Sequence, residues 1–333
     1  MNAPISILSF GISSPGGTTL DTPETFWPAG RVPEVSNPQV TRNVARVDLA
    51  AEPFNRWRMR PRLRRASALS HHLIEAVSQA LEARPDVKPS QVGLVGSFFI
   101  GCLVYSVRFY KGITTEGRRF ASPVLFPETV VNTPLSHVVA ELGIGGPVYS
   151  QVGDTSCWVS ALRTAAVWLE NGDVEHVVVV GGEEFDPHFL DVMHAARWFG
   201  ADDSMGVAEG AGAVLLGREF KDAIAHIARL ADGFSFRTRA QAAKAAALCL
   251  GEFERETPIA NTATSWMRRV AAQALSGRPV ADCCGTPHFE AFTASCAWNT
   301  IRAAKAVSAG VEEKIVVPAW GLSQQISAIE ISK

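Results

Sequence analysis

The residue best placed to do chemistry is Cys157, in the run GDTSCW from Gly153 to Trp158. A turn of small and polar residues precedes it, and Ala161, Leu162, Ala165, Ala166 and Leu169 follow at helical spacing. Backbone N–H groups and the helix dipole favour a thiolate at a helix start, so this placement predicts a lowered pKa and a nucleophilic sulfur. The same N–H groups would serve as an oxyanion hole for an acyl group on that sulfur. Gly153, Asp154, Thr155 and Ser156 are small enough to let a substrate approach. The competing reading is the common fate of cysteine, burial as a small apolar group.

The elements that must position this turn alternate in type. Residues 147–152 read as a strand, and the helix after Cys157 runs over about 159–169 and closes on Asn171-Gly172. Residues 177–180 are a β-branched strand entering Gly181-Gly182. Strand, turn, cysteine, helix and strand make a crossover unit of a parallel sheet. Upstream, the pattern predicts a strand over 5–10, an irregular arm over 13–38, a helix over 66–81 and a buried strand over 92–100. Residues 105–120 read as a polar loop, a lid or a dimer-facing segment, and 132–142 as a helix ending at Gly143. Downstream, strands are predicted over 207–217, 224–230, 280–284, 315–319 and 325–331, with helices over 240–250 and 298–309. The class is α/β with a central sheet.

Composition narrows the possible roles. The chain has 333 residues, 47% hydrophobic and 19% charged, which supports a large buried core. A net charge of −2 with no basic stripe argues against nucleic-acid binding. The densest basic run holds six arginines, Arg56, Arg58, Arg60, Arg62, Arg64 and Arg65. It reads either as a solvated or interface loop or as a site for an anionic ligand or carrier protein. Six cysteines without a C-x-x-C pair suggest a reducing compartment and no metal. No secretory leader and no apolar run long enough to span a membrane is apparent, so a cytoplasmic protein is expected.

Further motifs lie on either side of the cysteine. They are Ser122-Pro123, Phe126-Pro127, Asn132, L-G-x-x-G-P at Leu142 to Pro147, and D-T-x-C at Asp154 to Cys157. Ala161-Leu162, Gly172, G-G-x-E at Gly181 to Glu184 and E-G-A-G at Glu209 to Gly212 follow. In this order they resemble the β-ketoacyl synthase family of the thiolase superfamily. The resemblance implies a layered α-β-α-β-α fold of two similar halves. Residues 1–217 would be the half carrying the nucleophile turn, and 218–333 a shortened second half. It also implies that Cys157 is the acyl-accepting nucleophile, with Asp154, Thr155, Ser156, Glu209 and Gly210 supporting its turn and oxyanion hole. Such proteins pair across a strand near that turn. A homodimer, or a heterodimer with a ketosynthase-like chain, is therefore expected. An acyl carrier protein or acyl-CoA would be the further partner, and no cofactor is implied.

The resemblance breaks where the reaction needs its histidines. Two family histidines polarise the thioester and stabilise the enolate formed when carbon dioxide leaves. Cys284-Gly285-Thr286 stands at the first position, with cysteine for histidine. The second matches Thr293 to Trp298, with Trp298 for histidine and no lysine. An indole donates a single N–H and shuttles no proton at neutral pH. His288 is the candidate substitute base, with an ordinary loop histidine as the other reading. A ketosynthase-like pseudoenzyme without decarboxylative condensation is the expectation. It would act by acyl transfer through Cys157, as a non-catalytic subunit, or as a scaffold in a bacterial assembly or secretion system.

Overall fold

Strand β1 (Ile5–Ser13) is buried along almost its whole length, as suits the middle of a covered sheet. The computed structural model describes residues 4–199, 205–218, 221–264, 267–285, 287–322 and 325–333. Thr286 and the Cys284 side chain lie outside the described residues. The arm after β1 is more regular than its proline content predicts, because β2 (Ala29–Pro33) and β3 (Thr41–Ala45) pair as a hairpin. A single turn, α1 (Asn55–Arg58), leads to α2 (Ala68–Glu82), whose N-cap Ser67 accepts from the Ser70 N–H. Strand β4 (Val92–Phe98) is wholly buried.

The stretch expected to be a loop forms a helix, α3 (Leu103–Glu116). Tyr105 is its buried residue among those described, so its sequence carries little of the apolar periodicity that marks a core helix. Helix α4 (Thr133–Leu142), strand β5 (Val148–Val152), helix α5 (Cys157–Asn171) and strand β6 (His176–Glu183) follow close to their predicted places. Gly143 and Gly172 end the two helices at φ 69° and 74°, a conformation glycine adopts without strain. Helix α6 (Pro187–Ala195) and strands β7 (Gly206–Ala208) and β8 (Gly210–Gly217) complete this part.

The remainder repeats the plan, with several elements much shorter. These are β9 (Ala225–Leu230), β10 (Phe234–Ser235), α7 (Arg239–Leu250), β11 (Ile259–Ala260), α8 (Arg268–Ala274) and β12 (Val280–Ala281). Then come β13 (Phe289–Glu290), α9 (Thr293–Ser308), β14 (Lys314–Trp320) and β15 (Gln325–Ser332). Two boundaries differ from the sequence reading in ways that bear on the site. Strand β12 stops at Ala281, and Asp282–Cys284 is a 3-10 turn. Helix α9 starts at Thr293, so Trp298 lies inside the helix and does not stand at its opening.

The sheet order is β12-β11-β14-β15-β9-β1-β8-β6-β4-β5, with β10 beside β15. Read outward from the centre, each side has two antiparallel junctions and then two parallel ones. On one side these are β1–β8, β8–β6, β6–β4 and β4–β5; on the other β9–β15, β15–β14, β14–β11 and β11–β12. The reduction of the second half shows in β11 and β12, two residues each against seven in β4 and five in β5. Alternation sorts the core. Val177 and Val179 of β6 face α5 and α9, with Ile315 and Val317 of β14 in the same cluster. Val178 and Val180 face α2 and α4. Val316, Ile326 and Ala328 face α6, α7 and α8. Helices α5 and α9 are thus the middle layer of an α-β-α-β-α stack.

Close approach of α9 explains two glycine motifs. A Cβ on Gly181 would lie 2.5 Å from the Thr293 carbonyl oxygen, and one on Gly212 2.8 Å from the Ala297 Cβ. Gly210 has φ 146°, and a Cβ there would meet the Ser13 carbonyl oxygen at 2.3 Å. By contrast, a Cβ on Gly153 would make only an ordinary 3.6 Å contact with the Cys157 Cβ. Gly181→Ala is expected to lower the unfolding free energy by about 1–3 kcal/mol, since backbone must move. Gly153→Ala should change it by less than about 1 kcal/mol. Equilibrium denaturation of the two variants checks the contrast.

Candidate functional site

Cys157 is the first residue of α5, delivered by the turn that leaves β5. The Asp154 carboxylate holds that turn by accepting from the N–H groups of Thr155 at 2.9 Å, Leu322 at 2.9 Å and Gln325 at 3.3 Å. The Thr155 hydroxyl donates to the Trp320 carbonyl at 2.8 Å, and the Ser327 hydroxyl donates to the Ser156 carbonyl at 3.4 Å. Three consecutive turn residues are therefore fastened to β14 and β15. Glu209 supports the next layer out, accepting from the Val47 N–H at 3.3 Å and the Phe185 N–H at 3.1 Å.

The donors expected to stabilise charge on the sulfur are engaged elsewhere. The Cys157 N–H donates to the Asp154 carbonyl at 2.7 Å, Trp158 N–H to Thr155 at 3.2 Å and Val159 N–H to Ser156 at 3.1 Å. These are first-turn groups that a helix otherwise leaves open. The half-buried Cys157 Sγ lies 2.9 Å from Ser97 Oγ and 3.8 Å from the Phe98 carbonyl oxygen.

Burial pushes the Cys157 thiol up to about 12; the Ser97 hydrogen bond pulls the other way, and the charges of Glu183 and Asp154 add to the rise. The sequence expectation of a lowered pKa is therefore reversed. The position at a helix start is as predicted, but the neighbourhood is desolvating and acidic.

Glu183 is fully enclosed. Its carboxylate accepts from the Phe99 N–H at 2.7 Å, the Ile100 N–H at 2.9 Å and the Thr293 hydroxyl at 2.6 Å. Burial holds its pKa at about 7 against those donors. Glu184 accepts from the N–H groups of Leu69 and Val104, and burial raises it to about 8. Glu290 accepts from the Phe292 N–H at 2.7 Å, and burial raises it to about 7. Cys296 donates to the Thr155 carbonyl at 3.6 Å, and its thiol is held well above the ordinary range by burial.

The other residues singled out in the sequence go to different places. Trp298 is 1% exposed; its indole N–H donates to the Ala211 carbonyl at 2.9 Å and its ring meets Trp27 edge-on at 5.4 Å. Those are contacts of a core residue. His288 lines a cavity of about 280 Å³ with Glu24, Cys283 and Arg302, and its N–H donates to Glu24 at 2.8 Å. The Cys284 backbone closes the 3-10 turn at the same cavity's edge, beside Cys283 and Gly285. Of the arginine run, Arg56 pairs with Glu75 and Glu82, Arg60 pairs with Glu141, and Arg58, Arg62, Arg64 and Arg65 are exposed.

Sequence reasoning missed three residues. Ser97 is a lone hydroxyl in a buried apolar strand, a signal that could have been used. Glu183 follows a β-branched strand and two glycines, where a carboxyl must be buried. Phe292, the residue before α9, has φ 51° and is fully buried, and nothing local announces that.

No protein-family model and no curated protein matches the sequence. Solved structures do. The ishigamide ketosynthase/chain length factor aligns with TM-score 0.78 at 15% identity over 99% of each chain. A β-ketoacyl synthase from Burkholderia phymatum STM815 aligns with TM-score 0.77 at 14% identity, over 99% of this chain and 100% of the other. The chain has the thiolase-like fold of the ketosynthases. A type II PKS acyl-carrier protein in complex with its ketosynthase is also similar, with TM-score 0.69 at 15% identity over 99% of each chain. At such identities the likeness is one of fold, and the ketosynthase-like frame is where Cys157 must be read.

Two solution properties follow. Because the reacting species is the thiolate, alkylation of Cys157 should rise about tenfold per pH unit from 7 to 10 with no plateau. Ser97→Ala should slow it and Glu183→Gln should speed it, followed by site-resolved mass spectrometry; a plateau below pH 9 would contradict the assigned setting. Glu183, Glu184 and Glu290 keep protons when folded that carboxyls at the ordinary 4.5 release. Their contribution to stability is complete below about pH 4.5 and is lost as pH rises through about 7 to 8. The denaturation midpoint should therefore fall between pH 5 and 8, and Glu184→Gln should flatten that slope.

Proposed function

We propose that the chain is a ketosynthase-like subunit without decarboxylative condensing activity, which pairs with a second ketosynthase-like chain. The observation that carries this reading is the setting of Cys157. Its sulfur faces Ser97 with Glu183 and Asp154 nearby, and the first N–H groups of its helix are bonded within the turn. A desolvated thiol among acidic groups is a poor nucleophile at neutral pH, and among the described residues the charged groups that act on it are acids, which would not stabilise an enolate.

The pairing half of the proposal rests on an unpaired strand edge. Among the described residues strand β5 pairs with β4 alone, and Val148, Tyr149 and Val152 are 43%, 52% and 52% exposed. Tyr110, Phe120 and Phe126, from α3 and the segment after it, are also exposed. An open apolar edge of this kind is a template for another strand. The exposed Arg58, Arg62, Arg64 and Arg65 offer an acidic carrier protein a second contact. The natural division of the chain in this reading is residues 1–217 and 218–333. The thiols of Cys102, Cys157, Cys249 and Cys296 suit a cytoplasmic setting.

With malonyl and acyl thioesters, carbon dioxide release should not exceed the blank and should be unchanged in Cys157→Ala. Release that depends on Cys157, or a stable acyl adduct on it, would replace this reading with acyl transfer or condensation. Light scattering should give the mass of a pair for the chain alone or co-expressed with a ketosynthase. Tyr149→Arg should reduce it to one chain; a pair that persists would move the interface away from β5.

A further inference from the structure

Arg302, on α9, holds two hydrogen-bond donors that the fold does not use. Its Nη1 and Nη2 groups both donate to Glu24 Oε1 at 3.3 Å, and Nη1 also donates to Asn299 Oδ1 at 3.1 Å. A guanidinium carries five N–H groups in a rigid fork and no acceptor. Its Nε–H and the second Nη2 hydrogen are therefore unspent among the described residues. Those two hydrogens lie parallel along one side of the fork, the arrangement that grips both oxygens of a carboxylate or phosphate. The acid opposite is already full. Glu24 Oε1 takes the two Nη groups, and Oε2 takes the His288 N–H at 2.8 Å and the Phe289 N–H at 3.1 Å. A carboxylate has about four lone-pair sites, so Glu24 has none left for the rest of its cation.

These groups meet at the cavity of about 280 Å³ that Arg302, Glu24, Thr25, Cys283 and His288 line. Neither the Thr25 hydroxyl nor the His288 ring has a hydrogen-bond partner among the described residues. Both also line a second space of about 270 Å³ beside Trp27 and Phe289, so the imidazole has open volume on two sides. Each space is near the lower end of small-molecule pockets, roughly 300–1,000 Å³. The Arg302 and Glu24 side chains are 11% and 9% exposed, so charge at this wall is weakly screened. Asp21, the other acid of the cavity, is exposed and pairs with Lys305 at 2.7 Å. The acids are thus engaged, and the capacity left over at Arg302 is donating.

We infer that this cavity binds the carboxylate or phosphate group of a small molecule on the unused side of Arg302, with His288 and Thr25 as further donors. The site is separate from Cys157, since Ser97, Phe98, Asp154 and Glu183, which surround that sulfur, do not line it. Binding here is independent of whether Cys157 reacts. Glu24 has two opposed effects on the anion: it orients the guanidinium, and its own negative charge repels the ligand. Removing that charge at constant shape tightens the site, and removing the guanidinium abolishes it. An ion pair that only holds the fold gives no such opposition between its two partners.

Cys283, at the cavity wall, reports occupancy. Its alkylation by N-ethylmaleimide is followed by peptide mass mapping in acetate, in inorganic phosphate and in chloride at equal ionic strength. A Cys284→Ser background leaves one thiol in the turn. Acetate or phosphate should slow the reaction several-fold relative to chloride, and the stronger protector identifies the group that is bound. Glu24→Gln should reach the same protection at about tenfold lower anion concentration. Arg302→Gln should lose it. Arg302→Lys keeps the charge without the fork, guards against loss of folding, and should need about tenfold more anion. Thermal denaturation confirms that each variant is folded. Equal rates in the three salts for wild type and Glu24→Gln would overturn the site. So would protection that survives in folded Arg302→Gln, or, where that variant does not fold, protection undiminished in Arg302→Lys. Loss of protection in folded Glu24→Gln would leave the pair a structural one and would overturn the site too.

Discussion

One buried carboxylate holds the middle of this protein together. Glu183 stands at the end of β6, where water is excluded, and its acceptors must be met from within. Donors arrive from two directions: the N–H groups after β4 and the hydroxyl that opens α9. That joint is only possible because Gly181 carries no side chain, so α9 can come within contact of the β6 backbone, while Gly182 makes room for Leu73 of α2 on the other face. The two halves of the fold meet here, a strand of one half against the central helix of the other.

The electrostatics of Cys157 follow from that joint. A carboxyl group needed for packing becomes, once it ionises at about pH 7, a negative charge near the sulfur, and the aspartate that ties the turn to β14 and β15 is another. Ketosynthase chemistry requires the opposite, positive or donating groups facing the reacting atoms. The turn keeps its shape through Asp154, Thr155 and the Ser156 carbonyl, all of which face structural partners. The shape of the turn thus rests on contacts that do not involve the sulfur.

Packing around α9 decides a second matter. Trp298, one face of that helix, packs against Trp27 and β8, while Phe292 before its first turn packs against Phe99 and Phe189. The helix begins five residues earlier than its alanine content suggests, and this shift moves Trp298 from the opening of the site into the core. His288 belongs to the β13 side, where Glu24 and Arg302 form a partly buried ion pair at 3.3 Å.

Much of the fold was legible in the residues because its signals are local. The β-branched run of β6, the helical spacing after Cys157, the glycine stops at 143 and 172 and the paired glycines of β6 and β8 each act within a few positions. Helix α3 escaped because it has a single buried side chain to mark it. By itself the sequence determined the crossover unit, the placement of Cys157 at a helix start and the two-half α/β plan. Only the tertiary structure decided what surrounds the sulfur: Ser97 from β4, Glu183 from β6, and Phe292 at a positive φ before α9. The physical reason is that periodicity is set by neighbours in the chain. Desolvation and charge at one atom are sums over groups brought together from residues 97 to 325.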